Sequence, residues 1–160
     1  MNEFALRSIA IGVGATAIYD LWGRLMVAIG LPGSNWSMAG RWFSYMANGQ
    51  FIHADVTIAP AKPYEMIVGW TMHYLIGIVY AGILLAIWGT EWAHQPTLLP
   101  AFIVGFVPIA AGWFIMAPAM GFGFASAKAP NVNVIRVVQF IGHCIFGFGL
   151  YLVACTTSRI

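Results

Sequence analysis

Asp20, His73 and His143 each stand inside a long, mostly apolar run, where a titratable side chain is unusual. A charge or imidazole in hydrocarbon is costly, so such groups turn toward a protein interior or a water-filled cavity. Arg24 follows Asp20 by one helical turn, and Gln139 precedes His143 by one. Asp20, Arg24, His73, Gln139 and His143 therefore compose a candidate site for a ligand, an ion or a relayed proton. Two bound groups suit the set. Two histidines on separate helices could hold the iron of a b-type haem between them. With Asp20 they form a His/His/carboxylate set of the kind that binds a transition metal. The plainer reading is polar glue, with Asp20 paired to Arg24 and the histidines hydrogen-bonding across helices.

A second candidate is Arg41, His53 and Asp55, in a polar stretch between apolar runs. There an arginine could hold a lipid phosphate while His53 serves as general base. A surface histidine near an acid is also common by chance. His94 beside Glu91 reads as an ordinary polar turn. Met66, Met72, Met116 and Met120 are soft metal donors in principle and apolar filler by default. The chain has no Gly-rich phosphate loop, no Gly-x-Ser-x-Gly elbow and no His-Glu-x-x-His helix, so no specific catalytic motif marks it as an enzyme.

The elements that must position these residues are helices. Of 160 residues, 61% are hydrophobic and 8% charged, and mean hydropathy is +0.82. A soluble domain of that composition lacks the polar surface to cover itself. The reading is an all-α integral membrane protein, one transmembrane domain over 1–160, with spans near 4–29, 64–88, 97–120 and 134–156. Each approaches the roughly 20 residues needed to cross the hydrocarbon. Short connections make neighbours antiparallel, giving a four-helix bundle. The first connection, Gly30 to Pro63, is too polar to span. Trp36, Gly40, Phe43 and Ala47 recur in it at helical spacing, either as a short helix at the membrane interface or as an ordered loop. Pro108 should bend the third span. The first apolar run is too long for a signal peptide, although Ala28 and Gly30 imitate a cleavage site. Cys144 and Cys155 fall about 16 Å apart along one helix and cannot pair with each other.

Residues spaced by four define one face on three spans: Gly12, Thr16, Asp20 and Arg24; Gly69, His73, Gly77 and Ala81; Gln139, His143, Gly147 and Tyr151. Faces mixing small and polar residues should meet one another. Asp20, His73 and His143 each lie about nine residues from the same end of the bundle, hence at similar depth. Arg24, Arg41, Lys62, Lys128 and Arg136 flank that end, against Arg7 and Arg159 at the other. The positive-inside rule then puts that end in the cytoplasm and both termini outside. Membrane lipid is the expected surrounding, with a further copy or another membrane protein as possible partner. No basic run or zinc-finger spacing suggests nucleic acid.

Several stretches resemble the DUF2938 family of small bacterial membrane proteins. They are Gly12-Val13-Gly14-Ala15-Thr16-Ala17 with Asp20-Leu21-Trp22, Gly40-Arg41-Trp42, Phe51-Ile52-His53, and Gly69-Trp70 with His73-Tyr74 and Ile76-Gly77. Later ones are Pro96 to Ala101, Met116 to Gly123 with Ala125-Ser126, and His143 with Phe146-Gly147 and Gly149-Leu150-Tyr151. The resemblance covers nearly the whole chain and implies a multi-span inner-membrane protein. It marks Asp20, Arg41, His53, His73 and His143 as characteristic, but it carries no activity, ligand or cofactor. Three functions stay open on these residues: a small transporter or proton-coupled protein, a haem or metal redox protein, and an accessory subunit of a membrane complex.

Overall fold

The computed structural model describes residues 2–158. Arg159, counted above for topology, lies outside them. Among the described residues there is no strand, and four helices are long and apolar enough to cross a membrane. Helix α1 spans Glu3–Ala28, with the side chain of Asn2 accepting from the Ala5 N–H at its start. A shorter helix, α2, spans Trp36–Met46. Helix α3 spans Glu65–Trp88 and stops at Gly89, whose φ of 78° belongs to glycine. The short α4 spans Glu91–His94 and precedes α5, Leu98–Ala111. A π turn over Gly112–Met116 carries α5 into α6, Ala117–Ala119. Helix α7 spans Val132–Thr157. The four long elements start and stop within about two residues of the expected spans.

The chain is a multi-pass membrane bundle. Its outward faces carry large exposed apolar side chains, such as Leu21, Ile87, Leu99 and Ile115, a surface suited to lipid. The inner core is Ile11 and Ala15 of α1, Leu84 and Leu85 of α3, Val104 of α5 and Leu150 of α7. Helix α1 lies against both α3 and α7, and α5 against α7 and, less extensively, α3. Two of these pairs meet backbone to backbone. A Cβ on Gly12 would sit 2.5 Å from the Ile78 Cα of α3, and one on Gly105 would sit 2.6 Å from the Gly147 Cα of α7. Small residues permit that approach where lipid offers no hydrophobic drive. The expected faces of α1 and α3 do meet, Gly12 and Thr16 against Gly77. The α7 face does not follow the expected register. Gly147 turns to α5, while Gly142 and Gly149 abut Tyr19, Trp22 and Ala15 of α1.

The helix in the first connection is present and has a definite course. After α1 the chain folds back beside it, so that Gly33 meets the Val27 side chain. Helix α2 then runs back out along α3. Trp36 at its start stacks on His73, and Gly40 meets the Glu65 carbonyl nearer the end of α3. The Trp36 carbonyl abuts Gly69, four residues into α3, so α2 begins about 6 Å from that helix end. Eleven residues of helix rise about 16 Å, enough to return. Residues 30–46 thus re-enter the bundle, a loop that folds back beside α1 and a helix that turns outward along α3.

Pro108 lies inside α5, and the π turn immediately precedes Pro118. Proline gives no N–H and crowds the carbonyl four residues back. A widened turn ahead of it accommodates both. At the opposite end of the bundle, Arg7 is 5% exposed. It donates to Glu3 at 2.8 Å and to the Thr157 carbonyl at 3.1 Å, while His94 donates to Glu3 at 2.9 Å. This clasp ties α1, α4 and the end of α7 together. His94 is therefore a long-range tie rather than a local turn residue.

Candidate functional site

The polar centre forms where α1, α3 and α2 converge. The His73 Nε2–H donates to Asp20 Oδ1 at 2.9 Å, and the Tyr74 hydroxyl donates to Asp20 Oδ2 at 2.8 Å. Both carboxylate oxygens are thus engaged. The Asp20 and His73 side chains are 10% and 14% exposed. Asp20 lies eight residues before the end of α1, about 12 Å inside it, matching the depth of His73 along α3. The Trp36 indole covers His73 with ring centroids 3.8 Å apart at 24°. An imidazole stacked this way gains attraction from the indole face when it is protonated.

Tyr19 joins the two histidines. Its ring centroid is 5.7 Å from that of His73 and 5.7 Å from that of His143. His143 donates from Nδ1 to the Gln139 carbonyl at 2.7 Å, which leaves a lone pair on its Nε2 when neutral. The Gln139 side-chain oxygen accepts from Trp113 Nε1, on the π turn, at 2.6 Å. Arg24 is exposed and forms no ion pair with Asp20 among the described residues. Asp20 is hydrogen-bonded instead by His73 and Tyr74 of α3. Of the five candidate residues, the structure pairs Asp20 with His73, sets His143 and Gln139 beside them around Tyr19, and leaves Arg24 outside. Tyr19, Trp36, Tyr74 and Trp113 were missed. Tyr74 directly follows His73 in sequence, but Trp36 could be found only by knowing how α2 docks.

These residues do not fit a metal. Among the described residues no three His, Cys, Asp or Glu side chains gather as ligands. His73 Nε2 is committed to Asp20, and the Tyr19 ring packs against both imidazoles. The His73–His143–Asp20 metal set therefore finds no assembled ligand arrangement among the described residues.

The second candidate set comes apart. Arg41 makes a two-bond fork with Glu65, 2.8 and 3.0 Å, and its Nη1 donates to the carbonyls of Val56, Thr57 and Ala59. It staples the connection to the start of α3 and is not free for phosphate. Glu65 beside it holds the guanidinium charge even more firmly than usual. Asp55 accepts from the Thr57 N–H and hydroxyl at 2.8 and 2.7 Å, which holds its carboxyl below the usual range. That is a local turn. His53 is 6% exposed, with Nδ1 3.4 Å from Gln50 and Nε2 without a partner. It makes no hydrogen bond with Asp55, so no general-base pair forms.

A cavity of about 120 Å³ lies between α1, α7 and the re-entrant loop, with Tyr19, Trp22, Gly23, Ser34 and Gln139 among its walls. Trp22 Nε1 is buried without a protein acceptor. On the other side of the same loop, an open groove of about 420 Å³ runs past Asn35, Trp36, Met66 and Trp70.

Comparison with curated proteins and with solved structures gives no match. The sequence model of DUF2938, described as a protein of unknown function, matches residues 9–157. A match over nearly the whole chain shows that this bundle belongs to the DUF2938 family.

Proposed function

We propose that the protein is a proton-coupled membrane protein, a small transporter in which Asp20 and His73 load and release the proton. The observation that carries this is the pair itself: an acid and an imidazole 2.9 Å apart, on separate spans and about 12 Å inside each. An ionisable pair within spans marks an ion or proton route by default. Tyr74 holds the second carboxylate oxygen, and Trp36 on the re-entrant helix covers the imidazole. Discontinuous helices that begin at depth are how transporters present backbone to a site. A bundle this small needs a second copy, or another membrane protein, to form two alternating halves. The basic residues Arg24, Arg41, Lys62, Lys128 and Arg136 favour a cytoplasmic α2 end in a bacterial inner membrane, with both termini periplasmic.

The test is pH-gradient-driven solute flux in proteoliposomes, measured for the wild type and for Asp20→Asn. The expected result is a flux in the wild type that Asp20→Asn abolishes. No gradient-driven flux in the wild type, or an equal flux in Asp20→Asn, would reduce the pair to polar glue and sink the proposal.

A further inference from the structure

Two helix faces look toward each other below the Asp20–Tyr74 bond. On α1, Asp20, Arg24 and Val27 follow at helical spacing and share one side. On α3, Met66, Trp70 and Tyr74 do the same. The Tyr74 hydroxyl donates to Asp20 Oδ2 at 2.8 Å and joins the two faces at their inner end. Toward the helix ends they part into the groove of about 420 Å³, with Val27 on one wall, Met66 and Trp70 on the other, and residues 33–36 between. Arg24 stands beside it, on the α1 face between Asp20 and Val27. It is exposed and has no ion pair among the described residues. The carboxylates at this end already have partners: Asp20 has His73 and Tyr74, Glu65 has Arg41, and Asp55 has Thr57. Helix α1 has 26 residues, about 39 Å of rise, against about 30 Å of hydrocarbon. Arg24 comes four residues before its end, about 6 Å inside it, which is the level where headgroups begin. Trp36 and Trp70, ring centroids 5.7 Å apart, suit that same interfacial level.

From this arrangement we infer that the groove between α1 and α3 seats the headgroup of an anionic phospholipid drawn from the surrounding bilayer, with Arg24 on its phosphate. Charge selects the occupant. Arg24 is a cation without a carboxylate partner, set at headgroup level, and its planar fork matches the oxygens of a phosphate. Basic sites between spans near the membrane surface take such headgroups. The loop adds polar contact without choosing a sign, because Gly33 and Ser34 use neither N–H nor carbonyl in a backbone hydrogen bond among the described residues. Both kinds of group suit the hydroxyls and esters of a glycerol unit, while Trp36, Trp70 and Met66 supply apolar walls beside it. The groove therefore accounts for Arg24, which the polar centre leaves outside. The inference goes beyond the proton reading and requires no proton transfer at Asp20 or His73.

The experiment uses the full chain, delipidated in detergent. Native mass spectrometry follows its titration with phosphatidylglycerol and, separately, with phosphatidylcholine carrying the same acyl chains. Arg24→Gln removes the cation at an exposed position. Met66→Trp crowds the groove from a side chain that is 50% exposed. Lys128→Gln removes an equal charge at the same end, from the connection before α7. The expected result is one bound phosphatidylglycerol, preferred several-fold over phosphatidylcholine. Arg24→Gln should cut that preference about fivefold, Met66→Trp should lower phosphatidylglycerol occupancy, and Lys128→Gln should change neither. Equal binding of the two lipids by the wild type, or a preference unchanged in Arg24→Gln, overturns the inference. So does a loss in Lys128→Gln as large as in Arg24→Gln, which would mean diffuse attraction to the whole basic end. Displacement of the lipid by soluble glycerol phosphate at equal concentration would make the occupant a soluble anion and overturn it too. These titrations carry no proton gradient, so their outcome is separate from the fate of the proton reading.

Discussion

At the scale of single residues, hydrogen-bond partners decide which polar groups remain free to act. Asp20 looks like the partner of Arg24 when only spacing is considered, yet both its oxygens go to α3. Tyr74→Phe removes one of those bonds without removing the charge. The expected cost is about 1 kcal/mol, read as a small fall in melting temperature, with His73 still bound to Asp20 and its imidazole resonances perturbed. Arg41 behaves differently, since five bonds converge on it and its side chain and that of Glu65 are only 15% and 16% exposed. Arg41→Ala strands Glu65 and should cost on the order of 3 kcal/mol. Arg41→Lys should recover little, because an ammonium cannot reproduce the fork to Glu65 while reaching three carbonyls. Recovery of full stability in the lysine variant would show that charge alone matters. Asp55 gives a pH effect of known sign. Its carboxyl titrates lower when folded, so its contribution to the loop is present above the ordinary carboxylate range and lost as pH falls through the lowered value. Amide exchange at Thr57 should quicken on that acid side, and Thr57→Val should move the onset to higher pH.

At the scale of elements, α2 covers one side of the polar centre, with Trp36 stacked on His73. It is held on α3 by contact of backbones at Gly40 and Gly69, where a Cβ on Gly40 would collide with the Glu65 carbonyl. Gly40→Ala must therefore push α2 off α3 and lift Trp36 from His73, at about 1–3 kcal/mol. Gly23→Ala, in open space on α1, should instead be neutral or gain about 0.5–1 kcal/mol as glycine leaves a helix interior. Trypsin offers a direct readout, since Arg41 lies within α2. Cleavage there should be slow in the wild type and in Gly23→Ala, and fast in Gly40→Ala. Equal protection in all three would show that α2 docks by other means. The helical spacing of Trp36, Gly40, Phe43 and Ala47 made this helix legible in the sequence. Its re-entry was not, because docking depends on a glycine pair 29 residues apart and on Gly33 folding back over Val27. The π turn was hidden for a related reason: Pro118 signals a break, but a break can be a kink, an end or a widened turn.

At the scale of the whole molecule, hydropathy reveals the spans because lipid imposes one simple demand on about twenty residues at a time. Depth follows from counting along those spans, which is why Asp20 and His73 could be matched before their contact was seen. Rotation about each axis is set by packing. The small residues of α7 offer two faces, and Gly147 took α5 while Gly142 and Gly149 took α1. The clasp of Arg7, Glu3 and His94 joins residues 91 apart in sequence and carries no local signature. Orientation across the membrane rests on charge. Five basic residues flank the α2 end, and Arg7 is the described one at the other. Impermeant maleimide labelling checks this, in a background where Cys144 and Cys155, both unpaired thiols, are changed to Ser. Ile58 in the first connection is 81% exposed, and Gln95 in the opposite turn is exposed. Gln95→Cys lies on the side opposite both termini in sequence terms only if α3 fails to cross. With four crossings it shares their side and should label in intact cells, while Ile58→Cys should label only in inverted vesicles. The reverse pattern would turn the bundle over and place the Asp20–His73 pair nearer the periplasm, so that any proton it carries would be loaded from outside.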